Sequence, residues 1–310
     1  MGGGGVQATG GQLGSGGAMS GGGPTSGGAT SSGGGTSGGA SSGGATGGGS
    51  ASGGAPGSGG SASGGAPGSG GAPIALDCNA AMPTSGASHH NNNGQGGSGN
   101  LAWEIWSNTG TGQLTTYDVP AFSAVWNNDG GYLGRMGYEW GGFGQTPGKH
   151  QTRGTISAQF VAKKTGDGGD YSYIGVYGWT TDPCVEWYIV EDILPHQFNK
   201  MPFNPGNTVR EDDAAAGGVP LDDGNYIIYS RQTTGTGGSR CSGVNSWAQY
   251  YSVRTTARSC GTISITEHFE TWESLGLTMG NLLEAKLIAE VGGGTGRVDF
   301  PVALVTATNP

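Results

Sequence analysis

The chain has 310 residues, 70 of them glycine, with 22 acidic and 13 basic side chains, a formal net charge of −9 and a pI near 4.9. That balance argues against an electrostatic partner such as a nucleic-acid backbone or an anionic membrane surface, and no apolar stretch of about 18 residues is present to span a bilayer. Nor does the sequence open on a basic region followed by an apolar run, the mark of a signal peptide.

Residues 1–72 contain no charged and no aromatic side chain, so every charge falls in residues 73–310. A segment of Gly, Ser, Ala and Thr buries too little apolar area to offset the entropy of ordering it, and the expectation is a disordered low-complexity tail. It carries a repeat with a period of 11, Ser50–Gly59 recurring as Ser61–Gly70, which has no apolar positions to stack and reads as a spacer. Such a tail suits a tether between an export or anchoring element and a working domain, so the protein is expected to be secreted or tethered to the cell surface. Residues 73–100 form a transition, with Cys78 and the polar run His89-His90-Asn91-Asn92-Asn93. No third ligand stands at a useful spacing from the two histidines, so no metal is expected and the run reads as solvated linker.

From Leu101 onward, short runs rich in Val, Ile, Thr, Tyr and Trp alternate with Gly, Asn and Asp turns. The strands read as Trp103–Trp106, Gln113–Tyr117, Phe122–Trp126, Tyr132–Met136, Gly154–Ala162, Tyr171–Trp179, Val185–Val190, Asn225–Arg231, Trp247–Thr256, Gly261–Thr266, Glu284–Glu290 and Arg297–Thr306. This is the texture of a large antiparallel sandwich or jelly roll filling residues 101–310 as one domain. One segment departs from it. Thr266–Gly276 has a Thr followed by acidic residues, apolar Phe269, Trp272 and Leu275, and a terminal Gly, which predicts one short helix capped at both ends.

Side chains alternate faces along a strand, so Val185, Trp187 and Ile189 make one apolar face and Glu186, Tyr188 and Val190 the other. A carboxylate amid apolar and aromatic neighbours is costly if buried unpaired, so it lies on a solvated surface or lines a cleft. Leu287–Val291 repeats the anomaly with Glu290. Two such carboxylates in a β domain rich in Trp and Tyr are what glycoside hydrolysis requires: one acid protonates the leaving oxygen, and one carboxylate attacks or activates water at the anomeric carbon.

Gln249–Arg254, Ser259–Ile263 and His268–Leu277 closely resemble the segment of glycoside hydrolase family 11 xylanases that pairs a strand with the fold's only helix. Tyr177–Glu191 looks like that family's nucleophile strand, and Trp106–Gly110 and Val125–Gly130 are similar to its first strands. The resemblance runs over roughly residues 100–305 and implies an all-β jelly roll of two curved antiparallel sheets whose concave face is a xylan cleft under a hairpin thumb. The implied reaction is retaining endo-hydrolysis of β-1,4-xylan, with Glu186 as nucleophile and Glu290 as acid/base. Retention needs the two carboxyls about 5–5.5 Å apart with separated pKa values, which the resemblance attributes to the negative nucleophile raising the acid. It also implies Trp106 as a stacking platform, Tyr177 and Tyr188 as phenols bonding the substrate or Glu186, and Gln249 and Arg231 at the thumb base. Trp126 and Trp179 read equally well as core, His268 as structural, and Glu191 and Asp192 as residues at a solvated strand end. No cofactor is expected, and a monomer is. The alternatives are a jelly-roll β-glucanase and a non-catalytic polysaccharide-binding module.

Several stretches depart from the family pattern. Glu290 is followed by Val291-Gly292-Gly293-Gly294 rather than by Gly and an aromatic, the thumb stretch Thr233–Val244 lacks the usual Pro-Ser-Ile tip, and the loop from Ile193 to Asp223 is long. Gly131 stands where the family places the Asn or Asp that tunes the acid/base. The four cysteines allow up to two disulfides in three connectivities. Cys184 is on the face of Glu186, so a bridge there would stiffen the cleft; Cys241 with Cys260 is disfavoured, being far apart along an extended hairpin, and free thiols stay open.

Overall fold

The computed structural model describes residues 75–98, 101–108, 111–127, 130–140, 146–194, 208–210, 218–235 and 240–309. The tail 1–72 with its repeat lies outside them, as do most of the loop from 193 to 223 and residues 236–239 of the thumb stretch.

In chain order the strands are β1 (Ser88–His90), β2 (Gly94–Ser98), β3 (Leu101–Ser107), β4 (Thr111–Thr116), β5 (Phe122–Asn127), β6 (Tyr132–Glu139), β7 (Gly148–Lys149), β8 (Ile156–Gly166), β9 (Ser172–Thr181) and β10 (Val185–Asp192). There follow β11 (Thr208–Arg210), β12 (Val219–Leu221), β13 (Gly224–Thr234), β14 (Ser246–Arg254), β15 (Cys260–Ser264), the helix α1 (Ile265–Ser274), β16 (Asn281–Val291) and β17 (Thr295–Ala307). They build a six-stranded sheet in the order β1-β4-β5-β17-β8-β15 and an eleven-stranded sheet whose main path is β11-β13-β14-β10-β9-β16-β6-β3-β2. Each strand read from the sequence is present within a few residues of its expected ends. Pairing is antiparallel throughout the described strands except between β10 and β14, which run parallel.

Period-2 alternation decides where the core sits. Val185, Trp187 and Ile189 of β10 join Phe122, Trp126, Phe160, Phe300 and the helix residues Phe269 and Trp272 in the main buried cluster. Burying side chains of this size contributes roughly 1.5–3 kcal/mol each. Tyr188 and Val190 belong instead to a second cluster on the opposite face of the larger sheet, with Tyr173, Tyr177, Trp179, Trp247, Tyr251 and Ile288. The side chains of that outer face are therefore largely shielded from water, and it carries the site.

The helix ends as expected but begins differently. Gly276 adopts φ +81°, Gly276 N–H donates to Glu273 O (2.9 Å), and Leu277 N–H donates to Trp272 O (2.9 Å), a Schellman closure. At the start the N-cap is Ser264, with no side-chain capping bond. Thr266 is spent on another element, its hydroxyl accepting the N–H of Ile156 at the head of β8 (2.8 Å). The sequence expectation of a side-chain cap at this end is corrected accordingly.

The solvated-linker reading of His89–Asn93 is also corrected. β1 pairs with β4 and β2 with β3, so this segment adds an edge strand to each sheet. His89 bonds Thr115 (2.9 Å), His90 stacks on Trp103 with ring centroids 3.6 Å apart, and Asn93 makes two bonds to the backbone of Ser107 (3.0 and 2.7 Å). Exposed edge strands tolerate polar sequence, which is why composition alone mislabels them. All four cysteines are bridged, Cys78 with Cys260 and Cys184 with Cys241, so the open possibility of free thiols falls away while the disfavoured pair is indeed not formed.

Candidate active site

Residues paired directly across strands share a face, so the register of the larger sheet lays out the site in rungs. One rung crosses from Glu139 on β6 through Glu284, Trp179, Glu186 and Gln249 to Arg231 on β13. The next runs through Lys286, Tyr177, Tyr188, Tyr251 and Tyr229. A more distant one holds Trp106, Leu133, Glu290 and Tyr173.

Glu186 is buried and accepts four hydrogen bonds. Tyr177 and Tyr188 hydroxyls both donate to Oε1 at 2.9 Å, and Trp247 Nε1 (2.9 Å) and Gln249 Nε2 donate to Oε2. A carboxylate is an acceptor on both oxygens, so this shell solvates a negative charge in place of water. Burial, and next the charge of Glu186, pushes the phenols of Tyr177 and Tyr188 above their ordinary value, so they remain donors. Gln249 is itself oriented, its Oε1 accepting from Arg231 Nε and from Thr233 Oγ1 (2.7 Å).

Glu290 sits in the opposite electrostatic setting. Burial first, and the negative charge of Glu186 second, push its carboxyl up to about 8, with the positive charge of Arg135 offsetting a part. Its Oε2 is buried without a hydrogen-bond partner among the described residues, an arrangement a neutral carboxyl tolerates far better than an anion. The order of causes amends the sequence expectation, which attributed the rise to the neighbouring charge alone. Of the two carboxyls on this face, one is wrapped in donors and the other is desolvated. Tyr173 and Tyr188, with ring centroids 5.1 Å apart, join their two surroundings.

Trp106 stands on the rung of Glu290, two strands away, half-exposed on the outer face. A Cβ at Gly131 would meet its ring at 3.1 Å, so the glycine leaves this indole its space. Arg231 is directly opposite Gln249 in the β13–β14 ladder, and its guanidinium lies over the Tyr251 ring at 5.7 Å. Trp126 is core, its Nε1 donating to Asp167 O (2.8 Å). Trp179 belongs to the site face, with Nε1 donating to the Tyr177 hydroxyl. His268 is structural: fully buried, it links Ser252 (2.9 Å) to Asp222 (3.1 Å).

One expectation fails here in detail. Glu191 and Asp192, read as lying at a solvated strand end, are buried. Glu191 accepts from Tyr226 (2.5 Å) and Arg258, and Asp192 pairs with Lys164, so both anchor the end of β10. Sequence reading also missed Trp247, Tyr171, Tyr173 and Tyr251 as neighbours of the glutamates; burial first, and the charge of Glu290 next, raise the Tyr171 phenol. It missed a network as well. Arg135 pairs with Glu104 (2.5 Å) and Glu284 (2.6 Å), Lys286 with Glu139 (2.7 Å) and Glu284 (2.6 Å), and Arg240 with Glu104 (3.0 Å) and Glu139 (3.1 Å). Burial alone would raise Glu284, but the charges of Arg135, Lys286 and Arg240 hold its carboxyl well below the usual range.

The profile of the family described as glycosyl hydrolases family 11 matches residues 98–300. Endo-1,4-beta-xylanase S20 of Neocallimastix patriciarum is 39% identical over 233 residues, covering 74% of this chain and 65% of that protein. Endo-1,4-beta-xylanase C of Fibrobacter succinogenes is 38% identical over 216 residues, covering 70% of this chain and 33% of the relative. The chain thus spans between one third and two thirds of the length of these two curated relatives. Among solved structures, the crystal structure of wild-type ENZbleach xylanase superposes with a TM-score of 0.58 at 30% identity, covering 73% of this chain and 88% of that one. The match to the family profile, the identity to these relatives and the jelly-roll superposition agree, and the chain belongs to glycosyl hydrolases family 11.

Proposed function

We propose that the chain hydrolyses internal β-1,4-xylosidic bonds of xylan with retention, by a double displacement on Glu186 and Glu290. The observation that carries the reading is the paired electrostatics: Glu186 wrapped in four donors beside a Glu290 whose carboxyl is pushed up to about 8. In the first step Glu186 attacks the anomeric carbon as the glycosidic bond breaks, and Glu290 gives its proton to the departing oxygen. In the second, Glu290, now a carboxylate, takes a proton from water as the water oxygen attacks the same carbon and Glu186 leaves. The proton returns to Glu290 and the anomeric configuration is restored.

Trp106 offers a flat apolar face for a sugar ring, and Tyr177, Tyr188, Gln249 and Arg231 place donors and acceptors around Glu186. No cofactor enters this chemistry, and the protein is taken as a monomer with no nucleic-acid partner. Two disulfides suit an oxidising compartment, which supports a secreted or surface-tethered enzyme. Among the described residues no helix is long and apolar enough to cross a membrane.

The test is reducing-sugar release from soluble xylan by the parent, Glu186→Ala and Glu290→Ala, beside cellulose and mixed-linkage glucan. The expected result is cleavage of xylan by the parent alone, with azide rescuing Glu186→Ala on an activated aryl xylobioside to give the inverted glycosyl azide. Preference for glucan would transfer the reading to a β-glucanase, and binding of xylan without any product would leave a binding module.

A further inference from the structure

The network around Arg240 has no part in the two displacement steps, yet it occupies the face on which they take place. Its carboxylates are Glu104 on β3, Glu139 on β6 and Glu284 on β16; its cations are Arg135 on β6, Lys286 on β16 and Arg240. Five of these six belong to neighbouring strands of the sheet floor. Arg240 does not. It lies in the connection between β13 and β14, and the strand order β14-β10-β9-β16-β6-β3-β2 puts β10, β9 and β16 between that hairpin and the carboxylates on β6 and β3.

The connection is fixed at both ends of this span. Cys241 is bridged to Cys184, in the turn between β9 and β10 and two residues before Glu186. From there the Arg240 guanidinium reaches Glu104 at 3.0 Å, Glu139 at 3.1 Å, Glu284 at 3.6 Å and Gln95 of β2 at 3.4 Å. It stands on the floor strands and covers their charged side chains. Glu284 and Lys286 beneath are fully excluded from water, while Arg240 itself keeps a quarter of its side-chain surface. Glu139 and Glu284 share the rung of Glu186, with Trp179 between, so the bar begins two strands from the nucleophile and continues along its row. The opposite end of the same face, around Glu290, carries Tyr171 and Tyr173 and no comparable cross-link among the described residues.

We propose that Arg240 is a specificity-determining residue whose ion pairs across β16, β6 and β3 form an end wall of the groove, limiting how many sugars the chain can lay on that side of Glu186. The three cations are matched by three carboxylates in contact with them, so the bar presents no unpaired positive charge for an acidic substituent. Its effect on a neutral polysaccharide is steric. This inference rests on the xylanase reading above.

The experiment maps the bonds cut in linear xylotetraose and xylohexaose, labelled at the reducing end, by the parent, Arg240→Ala and Arg240→Lys. Removing the side chain opens the wall, so Arg240→Ala is expected to raise the ratio of kcat/KM for hexaose over tetraose by about threefold or more and to move the favoured cut by at least one sugar. Arg240→Lys, whose single ammonium cannot hold two carboxylates in a fork, is expected to fall between. Melting temperature and circular dichroism show that the variants are folded. An unchanged cleavage map and an unchanged ratio in both folded variants overturn the inference. Loss of activity on all oligomers alike overturns it too, since that marks a general structural role. A parent that cleaves neither oligomer refutes the xylanase reading itself, an outcome separate from these.

Discussion

Gln249 stands directly opposite Glu186 in the parallel β10–β14 pair and donates its Nε2 to Glu186 Oε2, while Arg231 and Thr233 hold its Oε1. The amide cannot flip without breaking all three contacts, so it delivers an oriented donor to the reacting carboxylate. Gln249→Ala is expected to lower kcat/KM on xylan by about tenfold to a hundredfold, the effect of one charge-assisted bond. Gln249→Glu, which sets a second carboxylate against Glu186, is expected to be worse at neutral pH and to recover partly as pH falls. Steady-state kinetics from about pH 4 to 8 check both.

Tyr177 and Tyr188 donate to the same oxygen, Glu186 Oε1, at equal distances. Replacing either by Phe removes one donor and keeps the ring. Each single change is expected to reduce kcat by about tenfold, and the double change by more than the product of the two, because the second loss leaves Oε1 buried without a donor. A double-mutant cycle on kcat measures that coupling.

The alkaline limb of activity should report Glu290. Its carboxyl must hold a proton until the leaving oxygen takes it, so kcat/KM is expected to fall as pH rises through about 8. The same group affects stability. Its pKa is raised in the folded state from an ordinary value of 4.5, so its contribution is fully present below pH 4.5 and is lost as pH rises through about 8. Glu290→Gln, neutral at every pH, is expected to be more stable than the parent at about pH 9, by roughly 1–3 kcal/mol after allowance for residual solvent contact, and close to it at about pH 4. Calorimetry at the two pH values checks the sign.

Ser252 tests the support beneath the site. Its hydroxyl oxygen accepts from Trp272 Nε1 (3.0 Å) and meets His268 Nδ1 (2.9 Å), all three buried. Ser252→Ala leaves two buried polar groups unpaired, an expected loss of roughly 2–4 kcal/mol. Xylan KM in the folded fraction is expected to stay unchanged, because the lost bonds lie between β14 and the helix, on the core side of the sheet. Denaturant melts beside kinetics separate the two effects.

Glu186 and Glu290 were legible in the sequence because a lone carboxylate breaks a period-2 strand pattern wherever it falls. The strands were legible for the same reason, and the helix from its 3–4 spacing and terminal glycine. What was not legible depended on which strands meet. Arg240 and Glu104 are 136 positions apart and become partners only when the β13–β14 hairpin lies over the outer face. Trp247 looks like an ordinary strand aromatic until the parallel pairing places β14 beside β10. Thr266 looked like a helix cap because nothing local reveals that Ile156 will claim its hydroxyl.

The short segment carrying β1 and β2 occupies one border strand of each sheet, and the family profile begins at the last residue of β2. A gene trimmed to start at Leu101, just inside the family profile, therefore uncovers β3 and β4 together, two rows of unpaired backbone donors and acceptors on one molecule. It also discards Cys78 and leaves Cys260 as a lone thiol at the head of the border strand β15. Such a protein would meet its own copies through strand addition and thiol exchange at once. Residues 75–98 thus act as a hem along one border of each sheet, covering β3 and β4 and keeping Cys260 bridged.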